Sequence, residues 1–157
     1  MTDTTPTESN LSGLDRKDFQ KNINSRKTDL YILKNAQGME VAVTNYGCAI
    51  LSIMVPDKNG KFANVILGHD SIEHVINSPE PFLSTTIGRY GNRIANGKFT
   101  LYGEEHQLTV NNGPNSLHGG PTGFHARVWD AVQPNESTVI FNYTSADGEE
   151  GFPGTLE

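Results

Sequence analysis

The chain is short of cysteine, of positive charge and of long apolar segments, and each shortage argues against a class of protein. The one cysteine, Cys48, leaves no disulfide framework, and its place in an apolar run indicates a buried thiol rather than a nucleophile or metal ligand. Twelve Lys and Arg against eighteen Asp and Glu give a net charge of −6 without a basic cluster, which argues against a nucleic-acid partner. No segment approaches the length of a membrane span, so we expect no membrane association.

The first 25 residues are polar, rich in Thr, Ser and Asn, and lack the apolar core of a signal peptide. We interpret residues 1–25 as a flexible leader with a helical turn near residues 15–21, and residues 26–157 as a single domain. In the absence of an export signal, we expect a cytoplasmic protein. An apolar content of 35% and a mean hydropathy of −0.46 predict a lean core.

Short segments with β-branched and aromatic residues, separated by Gly and Asn turns, recur along the domain. They predict strands at residues 29–34, 39–45, 48–56, 61–68, 98–102, 105–110, 127–133 and 137–144. Asn59 and Gly60 predict a hairpin turn, because both tolerate positive φ, and only residues 71–77 suggest a short helix. Many short strands with almost no helix indicate an all-β fold, an antiparallel β-sandwich or barrel.

Polar residues and glycines flank a predicted hairpin in residues 88–120, which read GRYGNRIANGKFTLYGEEHQLTVNNGPNSLHGG. Gly103 marks the reversal between the two strands. A hairpin returns the chain to its starting end. We therefore predict that Arg93, which precedes the first strand, and His118, which follows the second, face one small site.

The residue types at this point suit a neutral ligand with many hydroxyl groups. Arg93 stays protonated, so its guanidinium can hold an oxygen but cannot act as a base. His118 can accept a proton, donate one or hydrogen-bond an oxygen near neutral pH, and the Asn92 amide both donates and accepts. Structural alternatives remain, since His118 can brace its loop and the glycines can serve as turn residues. Neither glycine motif has the pattern of a phosphate-binding loop.

Two stretches of the sequence, GRYGNRIANGKFTL and NNGPNSLHGGPTGFHARVW, are similar to the corresponding part of the aldose 1-epimerase (galactose mutarotase) family. The resemblance continues into SADGEEGFPGTLE and, more weakly, back to NYGCAILSIMVPDKNGKFANVILG, so that it covers residues 28–157. The clearest departure is Gly91, where family members often carry alanine. This change replaces one small residue by another and puts nothing in doubt.

The resemblance implies interconversion of the α and β anomers of an aldohexose such as glucose or galactose, with no metal or organic cofactor. It also selects the antiparallel β-sandwich over the barrel. Arg93 resembles the family's substrate-holding arginine, Asn92 its neighbouring polar contact, and His118 the first of two active-site histidines, with a catalytic and a substrate-binding role.

No residue of this chain matches the family's general acid, a second histidine, or its general base, a glutamate. The resemblance therefore implies that the chain corresponds to an amino-terminal portion of the sandwich. We expect a truncated form that has little or no activity alone and that tends to self-associate through exposed sheet edges. The alternative is a non-catalytic carbohydrate-binding or scaffold β-sandwich that keeps only the sugar-holding residues.

The remaining polar and aromatic residues have simpler interpretations. The other four histidines show no metal-ligand spacing and are expected at the surface or in turns; they are His69, His74, His106 and His125. Trp129 is expected in the core rather than stacked on a sugar. Asp147, Glu149 and Glu150 are expected to form a solvated turn.

Overall fold

The structure, a computed structural model, describes residues 10–157 as a set of antiparallel strands with one short α-helix. The strands are β1 (Asn22–Ile23), β2 (Arg26–Lys27), β3 (Leu30–Lys34), β4 (Glu40–Thr44), β5 (Ile50–Pro56), β6 (Phe62–Asn64), β7 (Arg93–Ile94), β8 (Lys98–Leu101), β9 (Glu104–Gln107), β10 (Ser116–Leu117), β11 (Asp130–Asn135) and β12 (Thr138–Asn142). The helix α1 spans Ile72–Ile76, and short 3-10 helices form at Arg16–Phe19, Ala95–Gly97, Phe124–Ala126 and Glu149–Gly151. The prediction of an all-β antiparallel fold is confirmed.

The largest sheet is a meander in the order β3-β4-β5-β6, with every pair antiparallel. The predicted turn between β5 and β6 is present, although of Asn59 and Gly60 only Gly60 has a positive φ, of 81°. The Asp57 carboxylate accepts the N–H groups of Asn59 at 2.7 Å and Lys61 at 2.9 Å. The other strands form two-stranded ribbons, β1-β2, β7-β10, β8-β9 and β11-β12. The β11-β12 ribbon lies beside β3, where Gln133 donates to the Ile32 carbonyl at 2.8 Å.

The main core lies between the large sheet and two short helices. Its buried members are Phe19, Leu30, Ala42, Ala49, Leu51, Ile72 and Val75. Helix α1 begins after Ser71, whose hydroxyl accepts the N–H of His74 at 3.3 Å, and it presents Ile72 and Val75 to this core. The predicted helix at residues 71–77 is therefore present, because a capping serine and an i, i+3 apolar pair are both local signals.

The part of the predicted leader that the structure describes, residues 10–25, is folded against the sheet, so the domain begins earlier than predicted. Phe19 is 0% exposed in the core. Glu40, also 0% exposed, accepts the N–H groups of Leu11 and Ser12, each at 3.0 Å. The polar composition of this segment gives no sign of these contacts, because they depend on one aromatic residue, Phe19, and on the buried carboxylate of Glu40 in β4. Residues 1–9 of the predicted leader lie outside the described residues.

Several strands are shorter than the sequence predicts: the one expected at residues 137–144 spans Thr138–Asn142, and the contacts explain the early end of two others. The strand expected at residues 61–68 ends at Asn64, because the Asn64 side chain accepts the N–H groups of Ile53 and Ile66 and takes the place of ladder hydrogen bonds. The strand expected at residues 105–110 ends at Gln107. Its partner β8 starts only at Lys98, after the turn at Ala95–Gly97, so the later residues have no regular ladder partner.

Helices within residues 10–157 all fall short of the length and apolar character needed to cross a membrane.

Candidate functional site

The β8-β9 hairpin brings together the two segments that carry the predicted site. Its turn is formed by Tyr102 and Gly103, both with positive φ, and the chain then returns so that β10 pairs with β7. In that pairing Arg93 lies opposite Leu117. One step beyond, the His118 N–H donates to the Asn92 carbonyl at 3.0 Å. The structure therefore joins the segments of Arg93 and His118 by direct strand pairing, as the hairpin argument predicts.

His118 is held to Asn92 by two hydrogen bonds. Besides the main-chain bond, the Asn92 N–H donates to Nδ1 of the His118 imidazole at 3.0 Å. The imidazole also packs on the Phe82 ring, with centroids 4.7 Å apart at an angle of 58°. The Nε2 atom of His118 makes no hydrogen bond to any of residues 10–157, so it remains available to a ligand.

Arg93 is positioned by two side-chain amides. Its Nε donates to Oδ1 of Asn112 at 2.9 Å, and its Nη1 donates to Oδ1 of Asn92 at 3.3 Å. Asn92 therefore contacts both Arg93 and His118, through its side chain and its main chain respectively. Asn112 was missed from the sequence, although it lies in the NNGPNS run between hairpin and histidine. Exposed donors on the guanidinium remain free to hold an oxygen-rich ligand.

The loop after His118 requires glycine. His118, Gly119 and Gly120 have φ values of 54°, 88° and 96°. Residues other than glycine rarely adopt such left-handed conformations. A Cβ on Gly119 would lie 1.8 Å from the Gly88 carbonyl oxygen. Gly88 and Gly119 are thus needed where the two motifs touch, whereas a Cβ on Gly91 would meet Ile87 at an ordinary 3.7 Å. The turn interpretation applies to Gly119 and Gly120, which have positive φ.

Residues 29–157 match the family model described as aldose 1-epimerase. This chain belongs to the aldose 1-epimerase family. Galactose mutarotase of Bos taurus is 42% identical to it over 119 residues, which are 76% of this chain and 34% of that protein. Aldose 1-epimerase of Escherichia coli K12 is 42% identical over 127 residues, which are 81% of this chain and 36% of that protein.

A solved structure supports the same assignment. The crystal structure of the GalM/aldose epimerase homologue from C. elegans has a TM-score of 0.76 and 32% identity with this chain, covering 82% of it and 39% of the other. The chain thus spans 34% to 36% of the length of the two curated relatives above. Its fold is that of this part of the aldose 1-epimerase family.

A second histidine lies close to His118 in this aldose 1-epimerase family member. His125 was expected at the surface or in a turn, but it is 5% exposed in the 3-10 helix Phe124–Ala126, so that expectation is wrong. Its ring also packs on Phe82, with centroids 4.6 Å apart. Burial lowers the pKa of His125 below 6.5, and the neighbouring charges of His118 and Arg127 act in the same direction, against Glu150. Burial therefore disfavours the charged form of His125, whose ring packs against Phe82.

The acidic run of Asp147, Glu149 and Glu150 is only partly the solvated turn that the sequence predicts: Asp147 is exposed, whereas Glu149 and Glu150 are half-buried. The Glu149 side chain is 12% exposed; it accepts hydrogen bonds from Tyr143 at 2.5 Å and from Ser145, and it pairs with Arg127 at 2.6 Å. Burial, together with the Glu149 hydrogen bond, raises the pKa of Tyr143 to about 12. These carboxylates are structural ties, because buried charges need partners.

Glu150 holds the loop that follows His118 by accepting hydrogen bonds from Thr122. Its Oε1 accepts the N–H of Thr122 at 2.9 Å and the Thr122 hydroxyl. Its Oε2 lies close enough to Gly120 that a Cβ there would be 2.6 Å away. The DGEEGFPG motif of this family member therefore supports the LHGG loop.

Arg89, in the GRYGNR motif, was not singled out from the sequence. It makes five hydrogen bonds, to Ser145 Oγ and to the carbonyls of Ser145, Ala146, Pro153 and Gly154. In the sequence, Arg89 is recognisable only as a second arginine in the same motif as Arg93. This does not show whether an arginine binds a ligand or supports the fold. With these bonds, Arg89 ties the GRYGNR motif to the end of the described chain.

Trp129 was expected in the core, but it is only half-buried and lies outside the main core cluster. It contacts the rings of Phe124, at 5.5 Å between centroids, and Tyr143, at 5.2 Å, and its Nε1 donates to the Phe124 carbonyl at 3.2 Å. These rings line a cleft of about 520 Å³. Within residues 10–157, no group of three or more His, Cys, Asp or Glu side chains is placed to hold a metal ion.

Proposed function

We propose that this chain provides the sugar-holding side of an aldose 1-epimerase site, acting on an aldohexose such as glucose or galactose. The observation that carries the proposal is the contact of Asn92 with both Arg93 and His118. Asn92 contacts the Arg93 guanidinium through its amide and the His118 ring through its N–H, and Nε2 of His118 makes no hydrogen bond to residues 10–157. Such groups recognise neighbouring hydroxyl groups of a neutral ligand.

Anomer interconversion needs a base at the anomeric hydroxyl and an acid at the ring oxygen, so that the ring opens, the aldehyde end rotates and the ring closes on the other face. In the proposed site Arg93 and Asn92 hold hydroxyl groups and keep the ring in place. His118 acts at an oxygen close to the reacting centre. The relatives' names, galactose mutarotase and aldose 1-epimerase, support this reaction and an aldose as substrate.

A non-catalytic sugar-binding module is the second candidate, and one observation favours it. Within the described part of the chain, no carboxylate hydrogen-bonds to Asn92, Arg93 or His118. Loss of one general acid or base costs about 10²–10⁴-fold in rate. We therefore expect this chain alone to bind a sugar and to accelerate mutarotation weakly if it is part of an epimerase site, or not at all if it is a binding module.

Two measurements on the same preparation test the proposal. The first is a titration with D-galactose followed by ¹H–¹⁵N spectra, in which the amides of Asn92, Arg93 and His118 are expected to shift. Arg93→Ala is expected to weaken binding by roughly tenfold or more, because it removes hydrogen bonds from a charged donor. Lys98→Ala is the matched control: it removes an exposed charge, which pairs with Glu105 at 2.7 Å, from the neighbouring hairpin.

The second measurement is polarimetry on freshly dissolved α-glucose. Acceleration that disappears in His118→Ala supports the epimerase assignment. Galactose binding without acceleration supports the module instead. If galactose shifts no amide in the Asn92 to Arg93 segment, or if Lys98→Ala weakens binding as much as Arg93→Ala, both candidates are wrong.

A further inference from the structure

The contact between Asn92 and His118 limits which nitrogen of the imidazole carries hydrogen. A main-chain N–H can only donate, and the Asn92 N–H lies 3.0 Å from Nδ1 of His118. Nδ1 must therefore present its lone pair. In the neutral ring, the single hydrogen then resides on Nε2.

We propose that His118 is fixed as the Nε2–H tautomer and acts on a ligand as a hydrogen-bond donor, not as a base. Nε2 is the nitrogen that makes no hydrogen bond to residues 10–157, so its N–H is the group presented to a ligand. A donor at this position binds an oxygen and stabilises negative charge that develops on it. The role toward a sugar rests on the proposed function, whereas the tautomer does not.

Three features hold the ring in the orientation that places Nδ1, rather than Cδ2, against the Asn92 N–H. The backbone at His118 has a φ of 54° and is pinned by its own N–H, which donates to the Asn92 carbonyl. One side of the imidazole packs on Phe82 at 4.7 Å. Phe82 is in turn packed on buried His125 at 4.6 Å, so the aromatic wall behind the imidazole is itself held in place.

Proton abstraction by His118 is disfavoured by the same contacts. Accepting a proton from a ligand requires a lone pair on the nitrogen that faces it, and the hydrogen already occupies Nε2. The tautomer with hydrogen on Nδ1 would set that N–H against the N–H of Asn92 and lose the bond. The doubly protonated ring would lose it as well. Phe82 and His125 are therefore positioning residues for a donor.

The chain contains its own control for this assignment. Nδ1 of His74 lies 2.6 Å from Oδ1 of Asp70 in an exposed i, i+4 pair. An ionised carboxylate only accepts, so His74 must hold a hydrogen on Nδ1. His118 and His74 are thus expected to show opposite nitrogen patterns in one spectrum.

The test is long-range ¹H–¹⁵N correlation spectroscopy on the whole chain with ¹⁵N-labelled histidine rings, at a pH where the imidazoles are neutral. Signals are assigned by their loss in His118→Ala and in His74→Ala. We expect His118 to show an unprotonated Nδ1 and a protonated Nε2, with this tautomer at least about tenfold in excess. A protonated Nδ1, or an average of both tautomers like that of a free imidazole, would overturn the proposal.

The Phe82→Leu variant tests separately the two contacts that hold His118, which are the Asn92 hydrogen bond and the packing on Phe82. The Asn92 N–H is intact in this variant, so the His118 pattern is expected to persist while the ring becomes more mobile. A switch to the other tautomer would show that the Asn92 bond does not determine it. Adding D-galactose then tests the function separately: an unchanged pattern with no galactose response supports the tautomer and contradicts the sugar site alone.

Discussion

Replacing Arg89 tests whether the GRYGNR motif is tied to the end of the described chain. The five hydrogen bonds of its guanidinium reach Ser145, Ala146, Pro153 and Gly154 at 2.7 to 3.1 Å. Three are partly buried and two are exposed to solvent. At about 1 kcal/mol for each partly buried bond, and little for the exposed ones, Arg89→Ala should lower the free energy of unfolding by about 3 kcal/mol.

Arg89→Lys separates the geometry of the guanidinium from its charge. A lysine keeps the positive charge near the Phe152 ring, which lies 5.9 Å from the guanidinium carbon, but it cannot direct donors at four residues at once. We expect this variant to lose about half as much stability as Arg89→Ala. If the charge of Arg89 were the main contribution, Arg89→Lys would have the same free energy of unfolding as the unmodified chain.

Urea denaturation measures both free energies, with thermal unfolding as a check. A chain of this size shifts by about 2–4 °C per kcal/mol, so Arg89→Ala should melt about 6–12 °C lower. Lys98→Ala, which loses one exposed ion pair, should change stability by less than about 1 kcal/mol. If the free energy of unfolding of Arg89→Ala lies within about 0.5 kcal/mol of that of the unmodified chain, the hydrogen bonds of Arg89 do not stabilise the fold.

Three other measurements address the rest of the molecule. Glu40→Ala leaves the N–H groups of Leu11 and Ser12 without acceptors, so urea denaturation should show a loss of about 2–3 kcal/mol, and unchanged stability would mean that this anchor is unimportant. Burial raises the pKa of Cys48 to about 12 from 9.0, so at pH 8 a disulfide reagent should label it about a thousandfold more slowly than an ordinary thiol until urea unfolds the chain; fast native labelling would contradict this. Burial holds the pKa of His125 below 6.5, so the unfolded chain takes up this proton first and stability should fall as pH drops below 6.5; His125→Gln should flatten that fall, and equal slopes would count against it.

Local signals in the sequence were enough for most strands, the helix and the hairpin. Ser71 and the pair Ile72 and Val75 specify α1 within a few residues, and Gly103 marks the reversal that returns the chain from β8 to β9. The hairpin in turn makes the pairing of β7 with β10 predictable, because its two ends must meet. The neighbourhood of Arg93 and His118 follows from this local chemistry.

Contacts made over long sequence distances were not predictable in this way. Arg89 and the carbonyls that it binds lie in separate motifs, and Glu149 and Arg127 pair across two turns. His125 has the same local surroundings as a surface histidine, and only tertiary packing on Phe82 buries it. Polar residues predict a solvated segment unless a distant partner exists, and such partners leave no periodic pattern in the sequence.

The candidate site is supported largely by main-chain groups, and this explains which residue types it requires. The Asn92 N–H holds the imidazole of His118 regardless of the Asn92 side chain, and the Gly88 carbonyl lies directly against Gly119. Main-chain partners impose no requirement for their own side chains, so the requirement falls on the residue that must approach them. Gly119 must lack a Cβ because no room exists beside the Gly88 carbonyl, and Gly120 is favoured because its φ of 96° is one that residues with a Cβ rarely adopt. The glycines of LHGG are therefore steric conditions for placing His118, in addition to being turn residues.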